Sequence, residues 1–218
     1  MEFGYWGIKA LAEPSRWLIA YFKLDCTQWM CNEDDEWFGS KNEKLGLDFP
    51  NLPYLIDGDF KLTESTAIPG YLASKAGRED FNGEGIQEKC KLRMLEGVFA
   101  DFRSQLSDFY YSETEHKANW EKFIAAGSDG HYFLEKFSKF LGTKDYFLGH
   151  PTTFDISFAY YVWMMERISA SLGTETQGFA NLAAHSLRVR ELPGIKEWIE
   201  ANKHIPFMSP GYLKFEIL

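Results

Sequence analysis

Asn51-Leu52-Pro53-Tyr54-Leu55-Ile56-Asp57-Gly58-Asp59-Phe60-Lys61-Leu62 contains two short apolar runs joined by an Asp-Gly turn. That pattern signals a β-hairpin, because Asp-Gly readily takes the positive φ angles of a tight turn. Just downstream, Thr63 reads as a helix cap, and Ala67, Ile68, Tyr71 and Leu72 follow at helical spacing. Upstream, Phe3–Ile8 is an aromatic strand bounded by glycines. Leu11–Phe22 reads as a helix, with Pro14 in its first turn and Leu18, Tyr21 and Phe22 on one face. Cys26–Cys31 supplies a second strand, and Glu33-Asp34-Asp35-Glu36 places carboxylates ahead of Trp37, where they favour a helix N-terminus. The order βαβαββα predicts an α/β unit: a mixed sheet with helices against it.

Beyond the hairpin the pattern changes. Ser74–Ile86 loses apolar periodicity and carries three glycines, the composition of a domain linker. Long segments at Gln87–Tyr111, His116–Leu141 and Thr153–Leu172 then show apolar residues every three or four positions. The expected organisation is an α/β domain over 1–82 and an all-helical domain over 83–218. Thr152-Thr153-Phe154-Asp155 places a Thr three residues before an Asp, just ahead of an apolar run, which predicts a capping box with Asp in place of Glu.

Composition narrows the function. Of 218 residues, 45% are AVILMFWYC, enough to bury a full core. The formal net charge of −9 disfavours a partner bound through phosphates, so neither nucleic acid nor an anionic membrane is expected. The N-terminus carries no basic segment ahead of an apolar core, and no window approaches the ~20 apolar residues that span a bilayer, so a cytoplasmic protein is expected. Cys26, Cys31 and Cys90 are an odd number without zinc-type spacing, and the five histidines are scattered, so no metal is expected.

Gly-x-Ser-x-Gly, His-Glu-x-x-His, a phosphate-binding glycine loop and Cys-x-x-Cys are all absent, which removes most hydrolase, kinase and dithiol redox chemistry. The remaining polar and aromatic candidates lie at strand ends and helix starts: Tyr5 and Trp6, Pro53, and Glu64-Ser65. In a sheet of this kind the ligand crevice lies beyond strand ends, where helix N-termini offer free N–H groups to an anion. Read alone, Pro53 simply begins a strand; a cis Leu52–Pro53 bond would instead turn the Leu52 backbone toward an extended peptide ligand.

Gly4-Tyr5-Trp6, the run Lys44–Gly58 and Glu64-Ser65 followed by Ala67-Ile68 together resemble the mu class of cytosolic glutathione transferases, and matching spacing continues over nearly the whole chain. The resemblance implies a thioredoxin-like N-terminal domain, a helical C-terminal domain that supplies the site for a small hydrophobic electrophile, a cis Leu52–Pro53 bond and a homodimer. It also implies glutathione as co-substrate and a role in detoxification. Tyr5 matches the catalytic tyrosine, with Trp6 and Leu11 beside it. Trp37 and Lys41 match the pair that holds the glycine end of glutathione, and Asn51, Leu52 and Pro53 the backbone-pairing segment. Glu64 and Ser65 match the γ-glutamyl clamp, and Asp101 the carboxylate donated across the dimer. Tyr111 matches a tyrosine that assists some electrophiles. The chain departs from the family pattern in having Glu64 where Gln is usual, a shorter segment between Tyr21 and Trp37, and one extra residue between Lys41 and Lys44.

The chemistry assigned to Tyr5 is physically sound. A tyrosine stays protonated at neutral pH and donates its O–H to a thiolate, favouring the charged sulfur. Several residues also have plainer readings: Tyr5 as a packed strand aromatic, Ser65 as a helix cap, Lys41 as a surface cation over the Trp37 indole, and Asp101 as a solvated helix residue. At the level of function, a carrier of apolar ligands, a glutathione-dependent isomerase and a scaffold role stand beside conjugation as alternatives.

Overall fold

The computed structural model describes residues 1–110, 115–174, 178–208 and 217. Its sheet has four strands in the order β2-β1-β3-β4: β1 Glu2–Trp6, β2 Thr27–Cys31, β3 Tyr54–Asp57 and β4 Phe60–Thr63. β1 runs parallel to β2 and antiparallel to β3, and β3 and β4 form the expected hairpin through Gly58 and Asp59, with Gly58 at φ +62°. The parallel pair requires a crossover, which α1 (Glu13–Tyr21) supplies after a 3-10 turn at Ala10–Ala12. Between β2 and β3 lie two single helical turns, α2 (Asp34–Glu36) and α3 (Asn42–Lys44), flanking a π-helical turn at Trp37–Lys41. α4 spans Ile68–Lys75. This is the βαβαββα order of a thioredoxin-like domain.

Two local expectations are corrected. Thr63 pairs with Tyr54 as the last residue of β4, so its backbone belongs to the sheet and it caps no helix. Nor does Ser65 cap one. Glu64 adopts φ +79° and its carbonyl accepts from the N–H groups of Ala67 and Ile68, a turn that delays the helix start to Ile68, with Ala67 at the N-cap and no side-chain cap.

The remaining helices are α5 Gly85–Tyr110, α6 His116–Ile124, α7 Asp129–Leu141, α8 Thr153–Leu172, α9 Ala180–Arg190 and α10 Ile195–Ala201. The sequence span His116–Leu141 is two helices because Gly127 turns the chain at φ +83° and Ser128 caps α7, accepting from the His131 N–H at 3.1 Å. Packing divides the chain into one unit of Met1–Glu79 with Leu192–Phe207 and another built on Asp80–Glu191. In the first unit, α10 joins α1 through Gly194, where any Cβ would stand 2.5 Å from the Ala20 carbonyl oxygen. The core of the second unit is aromatic: Phe147 meets Phe154 edge-on at 4.9 Å, and Phe137 and Phe158 lie 4.8 Å apart.

The expected capping box is present at the head of α8. The Asp155 carboxylate accepts from the Thr152 N–H at 2.9 Å, and the Asp155 N–H donates back to the Thr152 hydroxyl. Asp155 also accepts from the Phe147 N–H at 2.9 Å and pairs with His185 Nε2 at 2.9 Å, all fully buried.

Candidate functional site

Strand register decides which residues can meet. Gly4 pairs with Tyr54, Trp6 with Cys31, and Tyr54 with Thr63. The C-terminal ends of β1, β2 and β4 and the N-terminal end of β3 therefore share one edge of the sheet. That edge gathers Tyr5 and Trp6, the chain leading to Trp37 and Lys41, the Asn51–Pro53 turn, and Glu64-Ser65. Side chains alternate along a strand, so Tyr5 shares its face with Phe3, whereas Glu2, Gly4 and Trp6 occupy the other.

Tyr5 is 5% exposed. The turn that follows it is held from behind by α1. Arg16, fully buried, donates from Nη1 to the Ile8 carbonyl at 2.6 Å and from Nη2 to the Trp6 carbonyl at 3.3 Å. Glu13, also buried, stands 3.5 Å from Arg16 and accepts from the indole N–H groups of Trp17 at 3.1 Å and Trp198 at 3.0 Å. Lys9 is buried too, donating from Nζ to the carbonyls of Asn202 and Ile205 and lying 5.0 Å from the Phe207 ring centroid; burial pushes its pKa down. The sequence reading missed this scaffold of Lys9, Glu13 and Arg16. The signal for it was a Glu and an Arg three apart on the crossover helix, side by side on its inner face.

Asn51 links two candidate segments. Its Oδ1 accepts from the Leu52 N–H at 2.9 Å, and its Nδ2 donates to Glu64 Oε1 at 3.3 Å. The Leu52–Pro53 bond is cis, as the resemblance implies. Leu52 and Pro53 are buried, Asn51 and Glu64 exposed, and Ser65 half-buried.

Trp37 and Lys41 do not form the cation–indole pair read from their spacing. The π-helical turn separates them, and Trp37 is buried against Tyr54, with rings stacked at 6.1 Å, and near Trp29 at 6.4 Å. Lys41 instead lies 4.0 Å over the Trp29 ring, with Nζ 3.6 Å from the Glu2 carboxylate. Glu2 accepts from the Tyr54 hydroxyl at 2.5 Å, and burial with that hydrogen bond pushes the Tyr54 pKa up. Trp6 is half-buried, its ring 6.0 Å from Phe38, and Leu11 is exposed. In the second unit Asp101 is an exposed residue of α5. Tyr111 lies outside the described residues.

The sulfur at this sheet edge is not an activated thiol. Burial pushes Cys31 up to about 11, which keeps it protonated at neutral pH. No group of three or more metal-ligating side chains occurs among the described residues.

A thioredoxin-like sheet with Tyr5 near the end of β1 and a cis-proline turn at the same sheet edge, in a chain that also carries an all-helical unit, defines a two-domain α/β and all-α fold. Residues 1–74 match the family model described as Glutathione S-transferase, N-terminal domain, and residues 100–202 match Glutathione S-transferase, C-terminal domain. Glutathione S-transferase Mu 2 of Homo sapiens is 34% identical over 224 residues, covering 100% of this chain and 97% of that protein. The class-mu 26 kDa isozyme 51 of Fasciola hepatica is 32% identical over 208 residues, covering 94% and 90%. The solved Pi-class glutathione S-transferase of Onchocerca volvulus shares the fold at a TM-score of 0.82 and 23% identity, covering 97% of this chain and 99% of that one. The chain belongs to the glutathione S-transferase family and has mu-class relatives along its full length.

Proposed function

We propose that this chain transfers glutathione to apolar electrophiles, with Tyr5 donating its hydroxyl proton to the bound thiolate in a hydrogen bond. The observation that carries the reading is the convergence of Tyr5, the cis-proline turn at Leu52–Pro53 and the Glu64-Ser65 turn on one sheet edge. The cysteine of an extended tripeptide would pair with the Leu52 backbone, its γ-glutamyl end would meet Glu64 and Ser65, and its glycine carboxylate would be drawn to Lys41 near Trp37. Trp6 and Leu11 flank the sulfur. Because Asn51 Oδ1 occupies the Leu52 N–H, Asn51 must release that donor as the ligand enters. If the thiol starts near the ~8.5 of free cysteine, lowering it by about two units requires roughly 2.7 kcal/mol. One charge-assisted hydrogen bond from Tyr5, with the turn dipoles, supplies a shift of that size.

In this reading residues 1–82 bind glutathione and residues 83–218 supply the electrophile site, with Tyr111 assisting some substrates. Asp101 reaches the glutamyl amine across a homodimer. Support for dimerisation comes from apolar side chains left on the surface: Phe49, 77% exposed, in the first unit, and Ile86, Met94 and Val98 along α5 in the second. No helix among the described residues is long and apolar enough to cross a membrane. A cytoplasmic role in detoxification belongs to the same proposal.

The test is a pH titration of the thiolate absorbance of bound glutathione in wild type and Tyr5→Phe. The expected result is a low apparent thiol pKa in wild type that rises by a unit or more in the variant. Glutathione binding with no thiolate band in either protein would overturn the assignment.

A further inference from the structure

The turn between β1 and α1 is held by two separate parts of the first unit. From α1, Arg16 takes the carbonyls of Trp6 and Ile8. From the end of the unit comes a strap, Ile205–Phe207, which follows α10 and in which Ile205 and Phe207 are buried. The Lys9 N–H donates to the Pro206 carbonyl at 2.8 Å, and the Ala10 N–H to the Phe207 carbonyl at 3.0 Å. The Lys9 side chain returns along the same segment. Its Nζ donates to the Asn202 carbonyl at 3.3 Å and to the Ile205 carbonyl, and lies 5.0 Å from the Phe207 ring centroid. The Lys9 carbonyl, in turn, accepts from the N–H groups of Ala12 and Glu13 at 3.0 and 3.1 Å. Strap, turn and the start of α1 thus meet at one residue.

Ala10 is where the strap acts. It stands at φ +31°, a conformation that a residue with a Cβ keeps only where its surroundings impose it. Leu11 follows it directly and Trp6 opens the turn; both flank the sulfur in the glutathione-transfer reading, on which this inference rests. With the strap loosened, Ala10 would relax toward negative φ and carry Leu11 with it. Packing alone does not call for a cation here. Lys9 is 2% exposed, and an apolar side chain of the same length would fill the space without the cost of desolvating an ammonium. What the ammonium adds is direction, because its donors fix two carbonyls of the C-terminal segment in one register against the turn. We propose that Lys9 is a positioning residue of the transfer reaction: by fastening Ile205–Phe207 to the turn it holds Ala10 at positive φ, and so sets Trp6 and Leu11 against the sulfur that Tyr5 serves.

The experiment follows the thiolate absorbance of bound glutathione across pH, the conjugation of 1-chloro-2,4-dinitrobenzene and thermal unfolding in wild type, Lys9→Met, and Lys9→Met combined with Ala10→Gly. In Lys9→Met the apparent thiol pKa should rise by about half a unit or more, and kcat below that pKa should fall about threefold or more with it. The KM for glutathione should stay within about twofold, because Lys41, Glu64 and Ser65 lie outside the turn. Glycine accepts positive φ without support, so Ala10→Gly should restore most of the thiol pKa and kcat in the Lys9→Met background whether or not the melting temperature recovers. Lys9→Gln, which keeps one donor group for the strap, replaces Lys9→Met should that variant not fold, with the same direction of change expected. Thiol pKa and kcat at wild-type values in a folded variant, a lower melting temperature with no change in thiol pKa, or a loss that Ala10→Gly leaves untouched would each overturn the proposal. A wild type with no thiolate band would instead overturn the transfer reading, and this proposal with it.

Discussion

Lys41 Nζ stands 3.6 Å from the Glu2 carboxylate and 4.0 Å from the centroid of the Trp29 ring. The cation assigned to the glycine end of glutathione is thus already partnered by a residue at the start of β1. A carboxylate beside Lys41 weakens the attraction of any incoming carboxylate. Both side chains are partly exposed, so the effect should be that of a surface pair, up to about 1 kcal/mol, or roughly fivefold in affinity. Glu2→Gln should therefore lower the KM for glutathione about two- to fivefold with kcat unchanged, and Lys41→Met should raise it. The gap between wild type and Glu2→Gln should close at high salt. A rise in KM for Glu2→Gln would show that Glu2 positions Lys41 productively and would end this account.

The sequence carried the strands, the hairpin and the capping box because each is encoded locally: an Asp-Gly turn, a Thr three residues before an Asp, and alternation of apolar side chains. The position of α4 was misread because Thr63 and Ser65 are both good caps in isolation, whereas sheet pairing claims Thr63 and the positive φ of Glu64 delays the helix. The Lys41–Trp29 contact was invisible for a related reason. A π-helical turn breaks the four-residue face that the spacing of Trp37 and Lys41 suggests, and Trp29 arrives from β2. A Glu and an Arg three apart are common on any helix, and only the folded turn places the Trp6 and Ile8 carbonyls within reach of Arg16.

Gly4 is fixed by Tyr54. A Cβ at Gly4 would lie 2.1 Å from the Tyr54 ring, which is itself stacked on Trp37 and tied to Glu2. Gly4→Ala must push that ring aside, which should destabilise the protein by about 1–3 kcal/mol. The displaced ring would carry Trp37 with it, so glutathione affinity should fall more than a matched surface Gly→Ala change produces. Chemical denaturation and glutathione titration measure the two effects, and a wild-type denaturation midpoint for Gly4→Ala would contradict the packing argument.

Asp155 is the acceptor for the Thr152 N–H and hydroxyl, the Phe147 N–H and His185 Nε2. Asp155→Ala removes a helix cap worth ~1 kcal/mol and strands several buried donors at ~1–3 kcal/mol each. The expected cost is about 3–5 kcal/mol, a fall in melting temperature of roughly 10 °C for a chain of this size. Asp155→Asn should recover part of it, since its oxygen can still accept. Because Asp155 touches no candidate site residue, the kcat of whatever protein folds should stay at the wild-type value; a selective loss of kcat would reveal a catalytic role.

His150 gives a pH signature to the second unit. Its Nε2 lies 3.0 Å from Glu88, in the first turn of α5. Partial burial pulls the His150 pKa down, but the hydrogen bond and charge of Glu88, with smaller help from the Pro151 backbone and Glu84, outweigh it, so the net shift is upward from 6.5. A group whose folded pKa is raised stabilises the protein fully below its unfolded pKa, and that contribution disappears as pH rises through the folded value. Stability should accordingly decline from about pH 6.5 upward, and because both side chains are partly exposed and screened by solvent the loss should be under about 1 kcal/mol. Guanidinium unfolding from pH 5.5 to 8.5 measures it, and Glu88→Gln isolates it: the difference between wild type and variant should be largest at the acid end and shrink toward the alkaline end. A difference that stays constant with pH would mean that Glu88 acts through the Glu84 N–H, which it accepts at 2.9 Å, and not through His150.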